Sequence, residues 1–457
     1  MMARRLLLGI LISCAAGAFY VPAWASAIPP FPVSGDATAD KPQSKCWHHD
    51  GSWWAILSDG VEGARFYRLG DDGVWGAATF PDALVRRGAA TRADVVSSGD
   101  RLTVLAWDDA APALYRYDFE PWSGFYRRRT AAPESAGSPL DPPAPPPTPP
   151  GFPLAPAGVP VAPSPGVPFA PPGLPLAPVA APPLGGEFAP IPVGPPSATV
   201  SLPPGHETAT VAVDSRGLAW VSAVVDGRVL VMAHGASKPA VRARGVGEDD
   251  ISAVVAFGGA KPRVGVFWSD QNAQALAFAY RDDTDSLGDW NPREVVARGG
   301  HVADDHINMA TASDGTLFVV TKTSVDDVPR PVDGPTQAQI ILNVRAPDGV
   351  WSIADVAPVT DVFTSRPIVV LDEDHDVLYV VYRHGPEIVY RSSRRDALDF
   401  GKAAEVALSE PGVTLRNVTG PKHAVGAQTG LLVMATGSDG LAYSTVLPLS
   451  GGAADGR

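Results

Sequence analysis

A pattern of two short apolar strands joined by a polar turn recurs seven times along this chain. Each copy alternates small or apolar residues with polar ones, turns at Asp, Gly, Asn or Ser, and continues into a second apolar strand. Short alternating segments of this kind indicate β-strands, and almost no stretch has a helical period. The chain is therefore predicted to be all-β and built from repeats. The copies lie at residues 46–57, 93–107, 208–225, 251–268, 307–321, 367–382 and 423–436.

The residues that follow these copies repeat as well. Asp-Gly-Val-Trp occurs at 72–75 and again at 348–351, with a looser copy at 287–290. Each unit is then about four strands long, and unit starts are about 45–60 residues apart once a proline-rich stretch is left out. One four-stranded sheet cannot bury both faces alone, whereas radially packed sheets cover one another. We therefore predict a seven-bladed β-propeller with four-stranded antiparallel blades.

The proline-rich stretch interrupts the repeats. Residues 139–196 hold 24 of the 48 prolines, and a Gly-x-Pro-x-Ala-Pro hexamer recurs four times within them. Proline fixes φ and removes backbone donors, so neither a helix nor a central strand can form. We predict a disordered or polyproline insertion at 133–204, in a surface loop within or just after the second blade. A cell-wall-spanning or partner-binding segment is the alternative.

The first 27 residues have the features of a secretory signal peptide. Arg4 and Arg5 precede an apolar stretch at 6–20, and small-x-small cleavage sites follow. The chain is therefore expected to be secreted, with no transmembrane segment. In the alternative, Cys14 is a lipidated lipobox cysteine and anchors the protein to a membrane. The remaining boundaries place blades 1–2 at 28–132, blades 3–7 at 205–448 and a disordered tail at 449–457.

Charge and cysteine content narrow the function classes. Lys and Arg number 36 against 49 Asp and Glu, a net charge of −13. Without a basic cluster, a nucleic-acid partner is excluded, because phosphate binding needs Lys and Arg in quantity. One of the two cysteines lies in the leader, so no disulfide scaffold can form. Cys46 is interpreted as a buried small hydrophobe rather than a reactive thiol. We expect a monomer.

Polar residues recur where the first strand of each blade begins. First strands line the central channel of a propeller, so side chains at their starts converge on one mouth. We predict a ligand-binding pocket there. In the alternative, these residues cap turns and bind water. The predicted ligand-binding residues are Arg92, Asp94, Asp250, Asp305, His306, Lys322, Arg366 and Lys422; Lys45, His206 and Asn417 also lie at strand starts.

Two kinds of chemistry could use such a ring. Arg and Lys could hold a carboxylate, while Asp305 or His306 moves a proton. Tyr390, or Tyr382, is a further candidate acid or nucleophile. The alternative is a calcium site with hard oxygen ligands, for which the candidates are Asp249, Asp250 and Asp304, with Asn308 nearby. No metal-site spacing is present, so no cofactor is assigned.

The repeats resemble the sialidase-like, or BNR-type, β-propeller superfamily over the chain after residue 27, apart from the insertion. Residues 390–400 carry a loose copy of its Ser-x-Asp-x-Gly-x-x-Trp box. A closer resemblance is to a group of uncharacterised secreted bacterial β-propeller proteins. Both imply the fold, and the second implies export; neither specifies a substrate. The segments that carry the closer resemblance are 45–55, 249–259, 266–272, 303–308, 321–324, 364–372, 417–422 and 429–433.

Three functions remain open at this point. The leading hypothesis is a secreted protein that binds an extracellular ligand, a glycan in the first place, at the channel mouth. The alternatives are a carbohydrate-active enzyme, either a sialidase-like glycosidase or a polysaccharide lyase, and a protein–protein interaction scaffold. An enzyme needs an acid and a base within one substrate's width. A lectin places exposed Trp or Tyr at the mouth, and a scaffold closes the mouth and exposes apolar patches on its rim.

Overall fold

A computed structural model describes residues 28–39, 41–108, 112–129, 196–200, 202–203 and 205–449. These residues form thirty β-strands in seven antiparallel sheets. Within them the single helical element is a 3-10 turn at Val325–Asp327. The structure confirms the predicted seven-bladed propeller with four-stranded antiparallel blades.

Strands are numbered in chain order. Blades are numbered from 1 to 7 in the order in which their innermost strands occur along the chain. β1 is Phe31–Pro32. Blade 1 contains β2 Cys46–His49, β3 Ser52–Ser58, β4 Gly63–Leu69, β5 Trp75–Ala77 and β6 Leu84–Arg87. Blade 2 contains β7 Arg92–Ser98, β8 Arg101–Trp107, β9 Ala113–Glu120, β10 Phe125–Arg128 and β11 Ala198–Thr199. Blade 3 contains β12 Ala209–Val213, β13 Ala219–Val225, β14 Arg228–Ala233 and β15 Ala240–Arg244.

The remaining four blades are regular. Blade 4 contains β16 Ser252–Phe257, β17 Arg263–Asp270, β18 Ala275–Asp282 and β19 Glu294–Arg298. Blade 5 contains β20 Ile307–Thr311, β21 Leu317–Lys322, β22 Ala338–Arg345 and β23 Trp351–Pro358. Blade 6 contains β24 Thr364–Asp372, β25 Val377–His384, β26 Glu387–Arg394 and β27 Glu405–Leu408. Blade 7 contains β28 Leu415–Thr419, β29 Leu431–Gly437 and β30 Leu441–Leu447, together with β1.

Aromatic side chains fill the space between blades 1 and 2. Trp47, Trp54, Phe66 and Tyr126 pack together with almost no solvent exposure. The indole N–H of Trp47 donates to the hydroxyl of Tyr126 at 2.8 Å, so the buried polar atoms of both rings are partnered. Large aromatic surfaces that leave water at such an interface stabilise the contact between neighbouring sheets.

The ring is closed by residues from the amino-terminal part of the chain. Phe31 pairs with Ala442, so β1 is the outer strand of blade 7 rather than part of blades 1–2 as predicted. The chain then crosses to the innermost strand of blade 1. On the way, Thr38 bonds to Thr436 of blade 7, and the Gln43 amide donates to the Ala209 carbonyl of blade 3 at 3.2 Å. We call residues 34–39 and 41–45 the crossing segment, which lies over the channel mouth.

The outer strand of blade 2 is split. β10 pairs with one half of β9, and β11 pairs with the other half. The Ser197 hydroxyl donates to the Arg129 carbonyl at 2.9 Å, so the chain leaves and re-enters the blade at one point. The predicted insertion at 133–204 therefore overlaps a propeller strand at its end. Residues 130–195, and with them the predicted disorder, lie outside the described residues, as do residues 1–27 with Cys14 and residues 450–457.

Blade 7 begins earlier than the sequence pattern indicated. Its innermost strand is β28, Leu415–Thr419, whereas the repeat placed the unit at 423–436. The register of β28 shifts between Arg416 and Thr419, and Asn417 has a φ of 53°. This irregularity breaks the alternation on which the prediction rested. Lys422 consequently follows the inner strand instead of preceding it.

Polar side chains near the starts of several inner strands hold neighbouring blades together. Three of them accept a hydrogen bond from a backbone N–H of the next blade, and Thr419, the last residue of β28, accepts one from Lys45, which directly precedes blade 1. Such N–H groups lie at the inner edge of a sheet and need a partner when buried. We call these contacts the interblade clamps. The pairs are Asp94 with Val211 at 2.8 Å, Thr210 with Val254 at 3.0 Å, Asn308 with Val369 at 3.1 Å, and Thr419 with Lys45 at 3.1 Å.

Replacing Asp94 is expected to destabilise the propeller strongly. Its fully buried carboxylate accepts from the backbone N–H groups of Ser44 and Val211 and pairs with Lys422. Asp94→Ala leaves these donors without an acceptor and should lower the free energy of unfolding by about 3–5 kcal/mol. Denaturant titration measures the change. Asp71→Ala, on an exposed turn of blade 1, is the control; a change for Asp94→Ala as small as the control's would contradict the role.

Candidate functional site

Three carboxylates from different blade starts converge on a lysine of the crossing segment. The Lys41 ammonium lies 2.7 Å from Glu207 Oε1 and 3.9 Å from Asp249 Oδ1, and it also pairs with Asp305. The carboxylate oxygens of the three acids lie within 4.8 Å of one another. We call these four residues the mouth cluster. It brings the starts of blades 3, 4 and 5 together through a residue outside every blade.

The mouth cluster combines a buried base with a more exposed acidic edge. The side chain of Lys41 is 3% exposed, whereas those of Glu207 and Asp249 are 42% and 68% exposed. Burial alone would lower the pKa of Lys41, but the charges and hydrogen bonds of Asp305 and Glu207 raise it above its ordinary value. Partial burial and the neighbouring carboxylates raise the pKa of Asp249. The cluster therefore presents hydrogen-bond acceptors to solvent above a fixed positive charge.

His306 lies beside the mouth cluster in a buried hydrogen-bonded chain. Its Nδ1 is 2.7 Å from Asp304 Oδ1 and also contacts Asp305, and its Nε2 is 3.1 Å from the Ser365 hydroxyl. Lys322 pairs with the other oxygen of Asp304 at 2.7 Å. Two of the predicted site residues, Asp305 and His306, are thus in contact, and Lys322 joins them through Asp304.

The charged side chains of this hydrogen-bonded group around His306 stabilise one another. Burial would lower the pKa of His306, but the hydrogen bonds and charges of Asp304 and Asp305 hold it above its ordinary value. Burial would raise the pKa of Asp305, and its contacts with His306, Asp304 and Lys41 instead hold it far below its usual range. Lys322 likewise keeps a raised pKa despite burial, through Asp304. The two neighbouring carboxylates therefore favour the protonated form of the imidazole.

Several other predicted ligand-binding residues are engaged in holding the fold. Asp94 serves the interblade clamp, and Lys422 reaches both Asp94 and the Val211 carbonyl at 3.1 Å. The carboxylate of Asp250 accepts from the backbone N–H groups of Gly247 and Gln271 and closes its own loop. These side chains already have protein partners, because buried backbone N–H and C=O groups need hydrogen-bond partners where the blades meet.

The two predicted arginines, Arg92 and Arg366, differ in their surroundings. Arg92 donates to the backbone carbonyl of Glu207 at 2.9 Å, so it borders the mouth cluster. Arg366 lies within β24, where the register shifts between Ser365 and Ile368, and its φ is 57°. A non-glycine residue in this left-handed region is uncommon and marks a locally strained backbone. The irregularity directly follows the serine that contacts His306.

The candidate acid Tyr390 belongs to a different part of blade 6. It lies on β26, the third strand outward from the channel, and its hydroxyl donates to Glu405 Oε2 at 2.6 Å. Tyr382, on the second strand, accepts a hydrogen bond from Arg391 at 3.1 Å. None of these contacts involves the mouth cluster. Tyr390 lies apart from the mouth cluster because residues that are near in sequence to a blade start can lie on outer strands.

Four residues near the mouth were not predicted: Lys41, Glu207, Phe363 and Ser365. Phe363 precedes Ser365 by two residues, its side chain is 56% exposed, and the Arg383 guanidinium lies 4.6 Å from its ring centroid. Lys41 carried no sequence signal because the crossing segment has no repeat pattern. A search restricted to blade starts could have found Glu207, which directly precedes blade 3.

The predicted calcium ligands do not come together as one set. Asp249 joins Glu207 and Asp305, Asp304 joins Asp305 and His306, and Asp250 is committed to its loop. In the first group the Lys41 ammonium occupies the position among the carboxylates that a cation would take. In the second, the His306 nitrogen is already hydrogen-bonded to both acids. Calcium takes six to eight oxygen ligands, and in each group a lysine ammonium or an imidazole already holds the carboxylate oxygens.

Below the crossing segment the channel is mainly apolar. A cavity of about 120 Å³ lies among Val211, Val254 and Met309, with Pro42 and Lys422 also in its wall. The wall of this cavity is thus mostly apolar, with Lys422 and Thr311 as its polar side chains. Among the described ranges, no helix is long and apolar enough to cross a membrane.

Comparison with known proteins extends to structure alone. No family model matches the sequence, and no curated protein matches it. Solved structures that share its arrangement include polysaccharide lyase Uly1, at 9% identity and a TM-score of 0.45 over 90% of both chains. Prolyl oligopeptidase B from Galerina marginata has 10% identity and a TM-score of 0.42 over 91% of this chain and 53% of that one.

An oligogalacturonate lyase in complex with manganese is also similar, at 11% identity and a TM-score of 0.35. The match covers 88% of this chain and 85% of that one. Likenesses at these identities and TM-scores carry no argument about activity. The fold places this chain among β-propeller proteins.

The stability that His306 provides should depend on pH in a defined direction. Its pKa is raised in the folded state, so its stabilisation is complete below the unfolded value of about 6.5 and is lost as pH rises through the folded value. The difference in unfolding free energy between wild type and His306→Gln should therefore shrink as pH rises above about 6.5. Denaturant titrations across this range measure it. A difference that grows with pH would contradict the assignment.

Removing the Lys41 ammonium should create a calcium site. In Lys41→Gln, three carboxylates face one another without their cation, and calcium can replace it. We expect millimolar calcium to raise the unfolding temperature of this variant by a few degrees and to leave wild type unchanged. Lys402→Gln, an exposed substitution in blade 6, is the control. An equal response in wild type and Lys41→Gln would show that Lys41 does not occupy the cation position.

Proposed function

We propose that this protein is a secreted binding protein that holds a glycan at the channel mouth. The observation that carries the proposal is the mouth cluster, in which exposed carboxylates of Glu207 and Asp249 stand beside the Lys41 ammonium. Neighbouring sugar hydroxyls both donate and accept hydrogen bonds. The exposed carboxylates can accept them, and bonds to charged partners are stronger than neutral ones.

The cluster is also held in place before any ligand arrives. Lys41 is fixed by Glu207 and Asp305, and Asp305 in turn is fixed by His306. Groups that are ordered in the free protein lose little conformational entropy on binding. The crossing segment covers the channel, a feature that a scaffold would share, so a glycan would lie on the mouth rather than enter the channel.

An exposed aromatic ring supports a glycan over other polar ligands. Phe363 stands two residues before Ser365, which contacts His306, and more than half of its side chain is exposed. Aromatic rings present apolar surface on which the C–H face of a sugar packs. Val362, also exposed, continues this apolar surface. The combination of charged groups and an apolar platform fits a molecule with hydroxyl edges and C–H faces.

The test is a glycan-array screen followed by calorimetry on the purified chain. Asp249→Asn removes one charged acceptor from an exposed side chain, so the fold should persist while the affinity for the selected glycan falls about tenfold or more. Asp71→Asn is the matched control, because it is the same substitution on an exposed turn. If Asp249→Asn binds like the control, the mouth cluster is not the site. If proteins bind and glycans do not, the scaffold hypothesis replaces this one.

A second candidate, a carbohydrate-active enzyme, is favoured by the chain of Asp304, His306 and Ser365. In it an imidazole with a raised pKa bridges a carboxylate and a hydroxyl, and its protonated form can donate a proton to a leaving oxygen. Incubation with polysaccharides would release reducing ends if the reaction is hydrolysis, or unsaturated products if it is elimination. His306→Gln should abolish product formation. If polysaccharides bind but no product forms, the enzyme hypothesis is rejected and the binding function is retained.

A further inference from the structure

A second cleft lies at the opposite end of the inner strands from the mouth cluster. It runs from the sheet of blade 2 to the turns of blades 3 and 4 and has a volume of about 390 Å³. Four arginines line it: Arg101, Arg116, Arg129 and Arg263. Clefts of this size, with a few convergent polar groups, are typical of small-molecule sites.

Two of the arginines already have acidic partners, and two do not. Arg129 pairs with Asp118 at 3.1 Å, and Arg263 pairs with Asp282 at 3.0 Å. In the part of the chain that the structure describes, the guanidinium groups of Arg101 and Arg116 have neither an ion pair nor a hydrogen bond. Burial, together with the nearby charge of Arg129, lowers the pKa of Arg116. The cleft therefore holds positive charge that its own acids do not neutralise.

Arg116 is also held at a fixed position. Its backbone N–H donates to the Ser197 hydroxyl at 3.0 Å, and its carbonyl accepts from the Arg129 N–H at 2.7 Å. These bonds tie it to the point where the outer strand of blade 2 is split. An arginine on a fixed strand can present its planar fork to a carboxylate without a large loss of backbone entropy.

An unpartnered acceptor on the far wall supplies an independent observation. Asp283 is 3% exposed, and its Oδ2 accepts from the backbone N–H and hydroxyl of Ser215 at 2.9 and 2.6 Å. Its Oδ1 is buried and has no hydrogen-bond partner among the described residues. A buried acceptor without a donor is costly, so this atom is suited to a donor on a ligand.

We propose that this cleft binds a sugar acid, with its carboxylate on Arg101 and Arg116 and a hydroxyl donating to Asp283 Oδ1. A sugar acid carries both groups on one small ring, which neither a simple anion nor a neutral sugar does. The site is separate from the mouth cluster and does not depend on the function proposed there.

The test uses D-galacturonate, D-galactose and inorganic phosphate as probes in calorimetry with the purified chain. We expect galacturonate to bind in preference to the other two. Arg101→Gln, on an exposed residue, and Asp283→Asn should each weaken it about tenfold or more, since a lost bond to a charged group has that effect. Arg127→Gln, an exposed arginine of the same blade outside the cleft, is the matched control.

Three results would overturn the proposal. They are no galacturonate binding at millimolar concentration, equal binding by Arg101→Gln and Arg127→Gln, or phosphate binding as tightly as galacturonate with no effect of Asp283→Asn. Thermal unfolding of each variant verifies its fold. Asp249→Asn separates the two sites, because it should leave galacturonate affinity unchanged whatever its effect on glycan binding at the mouth.

Discussion

The buried backbone at the inner edge of each blade is the constraint on which this structure depends. Seven sheets meet around a narrow channel, and N–H groups there have no further strand to pair with. Asp94, Thr210 and Asn308 each accept one of these hydrogen bonds from the next blade, and Thr419 accepts one from Lys45, just before blade 1. Of the polar residues that the sequence placed near blade starts, Asp94 and Asn308 thus join neighbouring blades.

The same constraint leaves a smaller set of residues free for chemistry. Asp94 and Asp250 are committed to backbone donors, whereas Glu207 and Asp249 keep exposed carboxylates. Charged groups that converge without backbone partners are the ones able to hold a ligand. The mouth cluster results from the chain crossing between blades 7 and 1, because that crossing delivers Lys41 to acids from three other blades.

Prediction from the sequence succeeded where local patterns repeat and failed where they are interrupted. Alternation and turn residues predicted seven units correctly, because each blade is mostly local in sequence. The start of blade 7 was misplaced because a shifted register and a positive φ at Asn417 hide the alternation. The contact between Asp305 and His306 follows from adjacency in the chain. The contact between His306 and Ser365 joins two blades, and the spacing of these residues in the sequence does not indicate it.

By itself the sequence determined that this chain is a seven-bladed all-β ring with charged residues gathered at its blade starts. The fold can be predicted because every repeat unit has the same pattern of strands and turns. Only the tertiary structure decided which charges meet. Lys41 lies 166 residues from Glu207 in the chain, and Arg116 and Asp283 face one cleft from different blades. Such contacts depend on how the blades close and stack, which no local segment encodes.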